Sequence, residues 1–170
     1  DNAGVLTATV TTGTEITNTY KADDAEIPDG TDTQGNPMVT KKGSSSTSLP
    51  ASTAFEFTLT AGSNTAGEGV ATPMPSDAKG SATLTTSTTS ADAVFGSIKY
   101  SLPGTYNYTV VETDGGADGW TYDTTTKNIV VTVTDNAGVL TATVTTGTEI
   151  TNTYKADDAE IPDGTDTQGN

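Results

Sequence analysis

Short runs of alternating apolar and polar residues, separated by turn chemistry, fill most of this chain. In FEFTLT (55–60), Phe55, Phe57 and Leu59 share one face while Glu56, Thr58 and Thr60 take the other. TYNYTVVET (105–113) aligns Tyr106, Tyr108 and Val110, and NIVVTVT (128–134) aligns Ile129, Val131 and Val133. VLTATVTT (139–146) aligns Leu140, Ala142 and Val144, and EITNTY (149–154) aligns Ile150 with Tyr154. Turns fall at Pro103-Gly104, at GGADG (115–119) and at DNAG (135–138). No stretch carries a 3.6-residue apolar period. Seven or more short strands with such turns predict an all-β, immunoglobulin-like sandwich. The Gly/Ser/Thr-rich segment 62–93 reads as one long loop with a short strand near Ala82–Thr85.

Alternation makes its own violations visible. The next inward position after Tyr106, Tyr108 and Val110 is Glu112; between Ile150 and Tyr154 it is Asn152. In PMVTKK (37–42), Lys41 shares a face with Val39, whereas Lys42 shares one with Met38 and Thr40, so Lys41 is the preferred inward lysine and Lys42 the runner-up. One reading places all three polar residues at strand ends, where they snorkel or pair on the surface. The other brings them together in the core. There, burying an unpaired amine or carboxyl costs several kcal/mol. Desolvation favours NH2 and COOH over the ion pair. A neutral amine beside an amide carbon, with an acid at hand to move protons, is arranged for nucleophilic attack, loss of ammonia and a Lys–Asn isopeptide bond.

Composition narrows the chemistry. The 170 residues include 39 Thr and no Cys, His or Arg, which excludes a histidine-based triad, a cysteine nucleophile and a His/Cys zinc site. A net charge of −15 with seven lysines argues against nucleic acid and against an anionic membrane surface as partners. No run approaches the length of a membrane span, and nothing calls for a cofactor or a metal. A chain poor in apolar residues (32%) and without disulfides needs another source of stability.

Residues 1–36 and 135–170 are identical, which points to a tandem array. On this reading residues 1–20 are the C-terminal hairpin of a preceding repeat. Residues 21–36, with Asp23, Asp24, Glu26, Asp29 and Asp32, form an acidic solvated linker. Residues 37–154 are the folded module, and 155–170 are the linker to the next repeat. A lone hairpin is marginal in water, so residues 1–20 are expected either to belong to a longer array or to complete a neighbouring repeat by strand addition. Asn18 is the N-terminal equivalent of Asn152 and competes with it on paper for Lys41.

The segments PGTYNYTVVE (103–112), Trp120-Thr-Tyr122 and ITNTY (150–154) resemble the isopeptide-linkage domain of Gram-positive, streptococcal-type pilins and surface adhesins, over nearly all of 37–154. The resemblance implies a CnaB/pilin-type sandwich. It also implies a first-strand lysine (Lys41) joined to a last-strand asparagine (Asn152), with Glu112 as proton relay. The segment GSSSTSLPAS (43–52) departs from the family's more apolar and charged continuation. A cell-wall-attached extracellular location follows from the same resemblance.

Other motifs carry less. LPGTY (102–106) lacks the glycine, hydrophobic tail and basic end of a sorting signal and reads as a turn. DGTDTQGN (29–36) has the flavour of a calcium loop without its terminal glutamate. Trp120 is expected in the core rather than as a glycan platform. Two functions are therefore in view. One is a non-enzymatic stalk repeat of a pilus or fibrillar adhesin, self-crosslinked in a single turnover. The alternative is an adhesin module that binds a host glycan or protein through its loops. Repetition favours the stalk.

Overall fold

The computed structural model describes residues 9–10 and 12–157. In chain order its strands are β1 (Ala25–Ile27), β2 (Val39–Ser45), β3 (Thr53–Asn64), β4 (Lys79–Leu84), β5 (Ser90–Asp92), β6 (Ile98–Tyr100), β7 (Gly104–Glu112), β8 (Trp120–Thr121), β9 (Lys127–Asn136), β10 (Val139–Thr146) and β11 (Thr148–Tyr154). A five-stranded sheet, β10-β9-β7-β3-β4, faces a four-stranded sheet, β5-β2-β11-β8, and β1 pairs with β6 at one side. The architecture is the expected all-β, immunoglobulin-like sandwich. The inward positions of the alternating runs are buried, among them Phe55, Phe57, Leu59, Tyr106, Tyr108, Val110, Ile129, Val131, Val133 and Ile150, while Tyr154 at the end of its run is partly buried.

Pairing is antiparallel except between β2 and β11, which run parallel with Ile150 opposite Lys41 and Asn152 opposite Gly43. The first long strand and the last are thus direct neighbours. Hairpin rules do not produce that pairing, because parallel neighbours need a long crossover; here the whole remainder of the module is the crossover. The polar ends of core tyrosines are satisfied internally. Tyr100 and Tyr108 hydroxyls lie 2.9 Å apart, and Tyr108 donates to the Pro73 carbonyl. Tyr106 donates to the carbonyl of Leu102 at 2.7 Å, which fastens the turn in LPGTY.

Three expectations need correction. The segment 62–93 is not one loop, because β3 extends to Asn64 and β4 and β5 occupy much of the rest. Second, residues 12–20 form no strand, and Ile16 and Tyr20 are exposed; the rest of the expected N-terminal hairpin, 1–8 and 11, lies outside the described residues. A ladder needs neighbours, and among the described residues no strand pairs with this copy of the β11 sequence.

Third, residues 22–36 are not a solvated linker. Ala22, Ala25 and Ile27 are buried, β1 pairs with β6, and Asp23 bridges to Val139. The acidic composition conceals a buried-exposed-buried triplet, Ala25-Glu26-Ile27, followed by a Pro-Asp-Gly turn. Asp32 is itself buried. Its carboxylate accepts hydrogen bonds from the backbone N–H of Gln34, Asn36 and Val144 and from the Asn36 side chain. Those donors occupy the oxygens that a cation would have needed. The other expected linker, 155–170, is described only at 155–157, and its remainder lies outside the described residues.

Burial alone would raise the Asp32 carboxyl, but the hydrogen bonds from Asn36, Val144 and Gln34 outweigh it and hold the group below its ordinary value of 3.8. Since the folded value lies below the unfolded one, its stabilising contribution is complete above pH 3.8 and fades as pH falls through the folded value. Asp32→Ala strands the Val144 and Asn36 donors and should lower unfolding stability by about 3 kcal/mol. An unchanged denaturant midpoint would mean that the 22–36 segment contributes nothing to the module.

Candidate functional site

Three polar side chains sit inside the sandwich. Lys41 is 0% exposed, Glu112 1% and Asn152 0%. Lys41 and Asn152 project from the neighbouring strands β2 and β11 of one sheet. Glu112, the last residue of β7, reaches across from the other sheet, where Phe57 is its partner on β3. The Lys41 Nζ lies 2.8 Å from Glu112 Oε1, and Asn152 Nδ2 donates to the same oxygen at 3.1 Å. One carboxylate oxygen therefore stands between an amine and an amide nitrogen.

The local sequence explains the convergence. Period-2 alternation carries Val39 and Lys41 to one face of β2. Lys42 points the other way, partly exposed, and pairs with Glu149 on the surface. Asn18 is exposed and lies in the strandless segment 12–20, so the structure places Asn152, not Asn18, beside Glu112. Opposite Asn152 stands Gly43, where a Cβ would meet Leu49, Leu84 and Trp120 atoms at 2.9–3.1 Å. That glycine lets the indole close over the site.

The walls are aromatic. Lys41 Nζ lies over the Phe55 ring, 4.6 Å from its centroid. Trp120 packs edge-on against Phe55 at 5.0 Å and also meets Tyr154 at 5.2 Å, while Tyr122 flanks Phe55 at 5.8 Å. Trp120 is thus a partly buried cover of the core, consistent with the packing role expected for it. Alternation makes the inward position of Phe55 plain, but nothing in the sequence names its contact with the lysine.

The backbone N–H of Asp123 was not foreseen. It donates to Asn152 Oδ1 at 2.9 Å, aimed at the oxygen that gains charge when the amide carbon is attacked. An Asx turn holds it in place: the Asp123 carboxylate accepts from the Thr125 N–H and hydroxyl and pairs with Lys127 at 2.9 Å. Asp-Thr-Thr at 123–125 is a readable turn signal, but nothing in it names the distant Asn152.

Electrostatics favour the neutral pair. Burial pushes the Lys41 amine below its ordinary value and Glu112 above its own, while their mutual attraction works against both shifts. Although Nζ and Oε1 are close, their contact lacks hydrogen-bond geometry, and Glu112 Oε2 has no hydrogen-bond partner among the described residues. Desolvation is the largest influence on both groups and opposes the charged form of each. The site thus brings together an amine, an amide whose oxygen is held by an N–H, and a carboxyl oxygen in reach of both nitrogens.

Residues 37–155 match the family model of FctA, described as a Spy0128-like isopeptide containing domain. The fold is similar to the major pilin of Streptococcus pyogenes, at 17% identity and a TM-score of 0.46, over 78% of this chain and 50% of that one. It is likewise similar to the major pilin protein T-13 of Streptococcus pyogenes, at 17% identity and a TM-score of 0.47, over 79% of this chain and 53% of that one. The chain spans about half the length of these pilins. No curated protein matches it.

In an Asn152→Ala variant, which leaves the amine nothing to attack, Lys41 should titrate below the ordinary lysine value of 10.5 and Glu112 above 4.5. Side-chain NMR titration reads both midpoints. A Lys41 midpoint at or above 10.5 would contradict the neutral pair.

Proposed function

The chain belongs to the FctA family of isopeptide-containing domains, and on that premise we propose that it is a structural shaft module of a Gram-positive surface fibre, closed by an autocatalytic bond between Lys41 and Asn152. The observation that carries this reading is the single Glu112 oxygen in reach of both the Lys41 amine and the Asn152 amide nitrogen.

In the reaction the neutral Lys41 amine attacks Cγ of Asn152, forming an N–C bond while the carbonyl electrons move to Oδ1. The Asp123 N–H stabilises that oxygen. Glu112 gives its proton to Nδ2 and receives one from Nζ, so the acid is regenerated. The carbonyl re-forms, the C–Nδ2 bond breaks and one ammonia departs. Aromatic walls keep water from competing. No cofactor enters, and the product remains part of the protein, so the module is a single-turnover substrate of itself rather than an enzyme.

The bond serves a load-bearing role. Because β2 and β11 are parallel neighbours, tension between the start of β2 and the end of β11 loads their interface in shear. A covalent link from Lys41 to Asn152 diverts that tension past the roughly 110 residues between them. Treated as a cross-link of that loop length, it contributes about 5 kcal/mol through the unfolded chain. Adjacent repeats of the same fibre are the natural partners, and the bacterial surface, through cell-wall attachment, is the natural location.

Intact mass tests the chemistry: the wild-type chain should weigh one ammonia less than its sequence, and Glu112→Ala should weigh the full amount. A full-weight wild-type chain whose Lys41 reacts with amine reagents after unfolding would sink the proposal. Stretching single molecules tests the mechanics. Asn152→Ala should release about 110 residues, roughly 370 Å at 3.3–3.6 Å per residue, whereas the wild type should show no such step.

A further inference from the structure

The chain's repeated sequence and its packing together describe a joint. Residues 20–36 and 154–170 are the same sequence. In the first copy, the Tyr20 hydroxyl donates to Asp135 at 2.8 Å. The Asp23 N–H donates to the Gly138 carbonyl at 2.9 Å, and Ala22, Ala25 and Ile27 are buried. Pairing of β1 with β6 and the Asp32 contact to Val144 complete the attachment. In the second copy, the equivalent of Tyr20 is Tyr154, the last residue of β11. Its ring lies 5.2 Å from Trp120, and the next N–H, of Lys155, donates to the Gly119 carbonyl.

We infer that consecutive copies of this module dock without a free linker: the stretch that follows β11 of one copy is the β1 element of the next, and the tyrosine at their boundary serves both. Its ring packs on Trp120 of the module it ends, and its hydroxyl bonds the β9–β10 turn of the module it enters. The partner is a second copy of this chain's own repeat. The two sets of contacts come from two places in one chain, and sequence identity lets a single residue carry both.

Spacing makes the joint stiff. Only Lys21–Asp24 separate the Tyr20 position from β1, and two of those four, Ala22 and Asp23, are already held by the following module. Even fully extended, four residues reach about 14 Å. The acceptor surface suits its occupant: an antiparallel edge on β6 for a short strand, an apolar seat for Ile27, and the main-chain N–H of Val144 for Asp32. This inference rests on the array reading above but not on the isopeptide bond.

The test is a chain lengthened by one 134-residue period, residues 37–170 repeated after Asn170, studied by 15N relaxation. Both modules should tumble as one body, with a correlation time about twofold that of the present chain. Ile161→Asp, at the joint between the modules, should return each module to the single-module value, with both keeping the dispersed amide spectrum of the present chain as proof of folding. Ile27→Asp, ahead of the first module, should leave the coupling intact. Independent tumbling in the unaltered two-module chain would overturn the inference, as would coupling that survives Ile161→Asp. Glu112→Ala removes the bond without touching the joint, so the two readings fail separately.

Discussion

The parallel contact between β2 and β11 is the constraint on which the rest depends. It makes the first and last long strands of the module neighbours, and it sets Lys41 and Asn152 on one inward face. Two polar side chains in an apolar core would ordinarily be a liability of several kcal/mol. Here burial pushes the Lys41 amine below its ordinary value and Glu112 above its own, so desolvation works against the charged pair. In the proposed cross-link that penalty ends with the covalent bond, because neither partner then carries a buried charge.

The enclosing parts fit that purpose. Gly43 leaves the gap that Trp120 fills, Phe55 lies under the amine, and the Asp123 turn presents its N–H to the amide oxygen. Each comes from a different element: β2, β8, β3 and the β8–β9 connection. The site is thus assembled only when the sandwich is. Lys42, one residue away and paired with Glu149 at the surface, has no such surroundings.

Much of this was legible in the chain because strand alternation has a strict period. The parity that buries Tyr106, Tyr108 and Val110 also buries Glu112, and the same counting distinguishes Lys41 from Lys42. What escaped the sequence was contact that alternation does not encode. The Asp123 N–H is a backbone group positioned by a turn, and its target lies 29 residues downstream. Likewise β1, β5, β6 and β8 are two or three residues long, too short to show a period. The acidic segment misled for a related reason: five carboxylates in 21–36 suggest solvation, yet one, Asp32, is buried and accepts five hydrogen bonds from three residues.

The doubled sequence shows how far context outweighs local preference. EITNTY forms β11 at one end of the chain, while the same six letters at 15–20 form no strand and stay exposed. What differs is the company: β2 and β8 flank the first, and among the described residues no strand flanks the second. The reverse holds for the acidic stretch, which carries little intrinsic order yet folds because the module downstream supplies β6, Gly138 and Val144 as partners. Strand and linker, read from composition, thus exchange places once neighbours are counted. The unit of folding is therefore offset from the unit that composition suggests: it begins before Pro37, at the tyrosine boundary, and takes its first strand from sequence that looks like the tail of what came before.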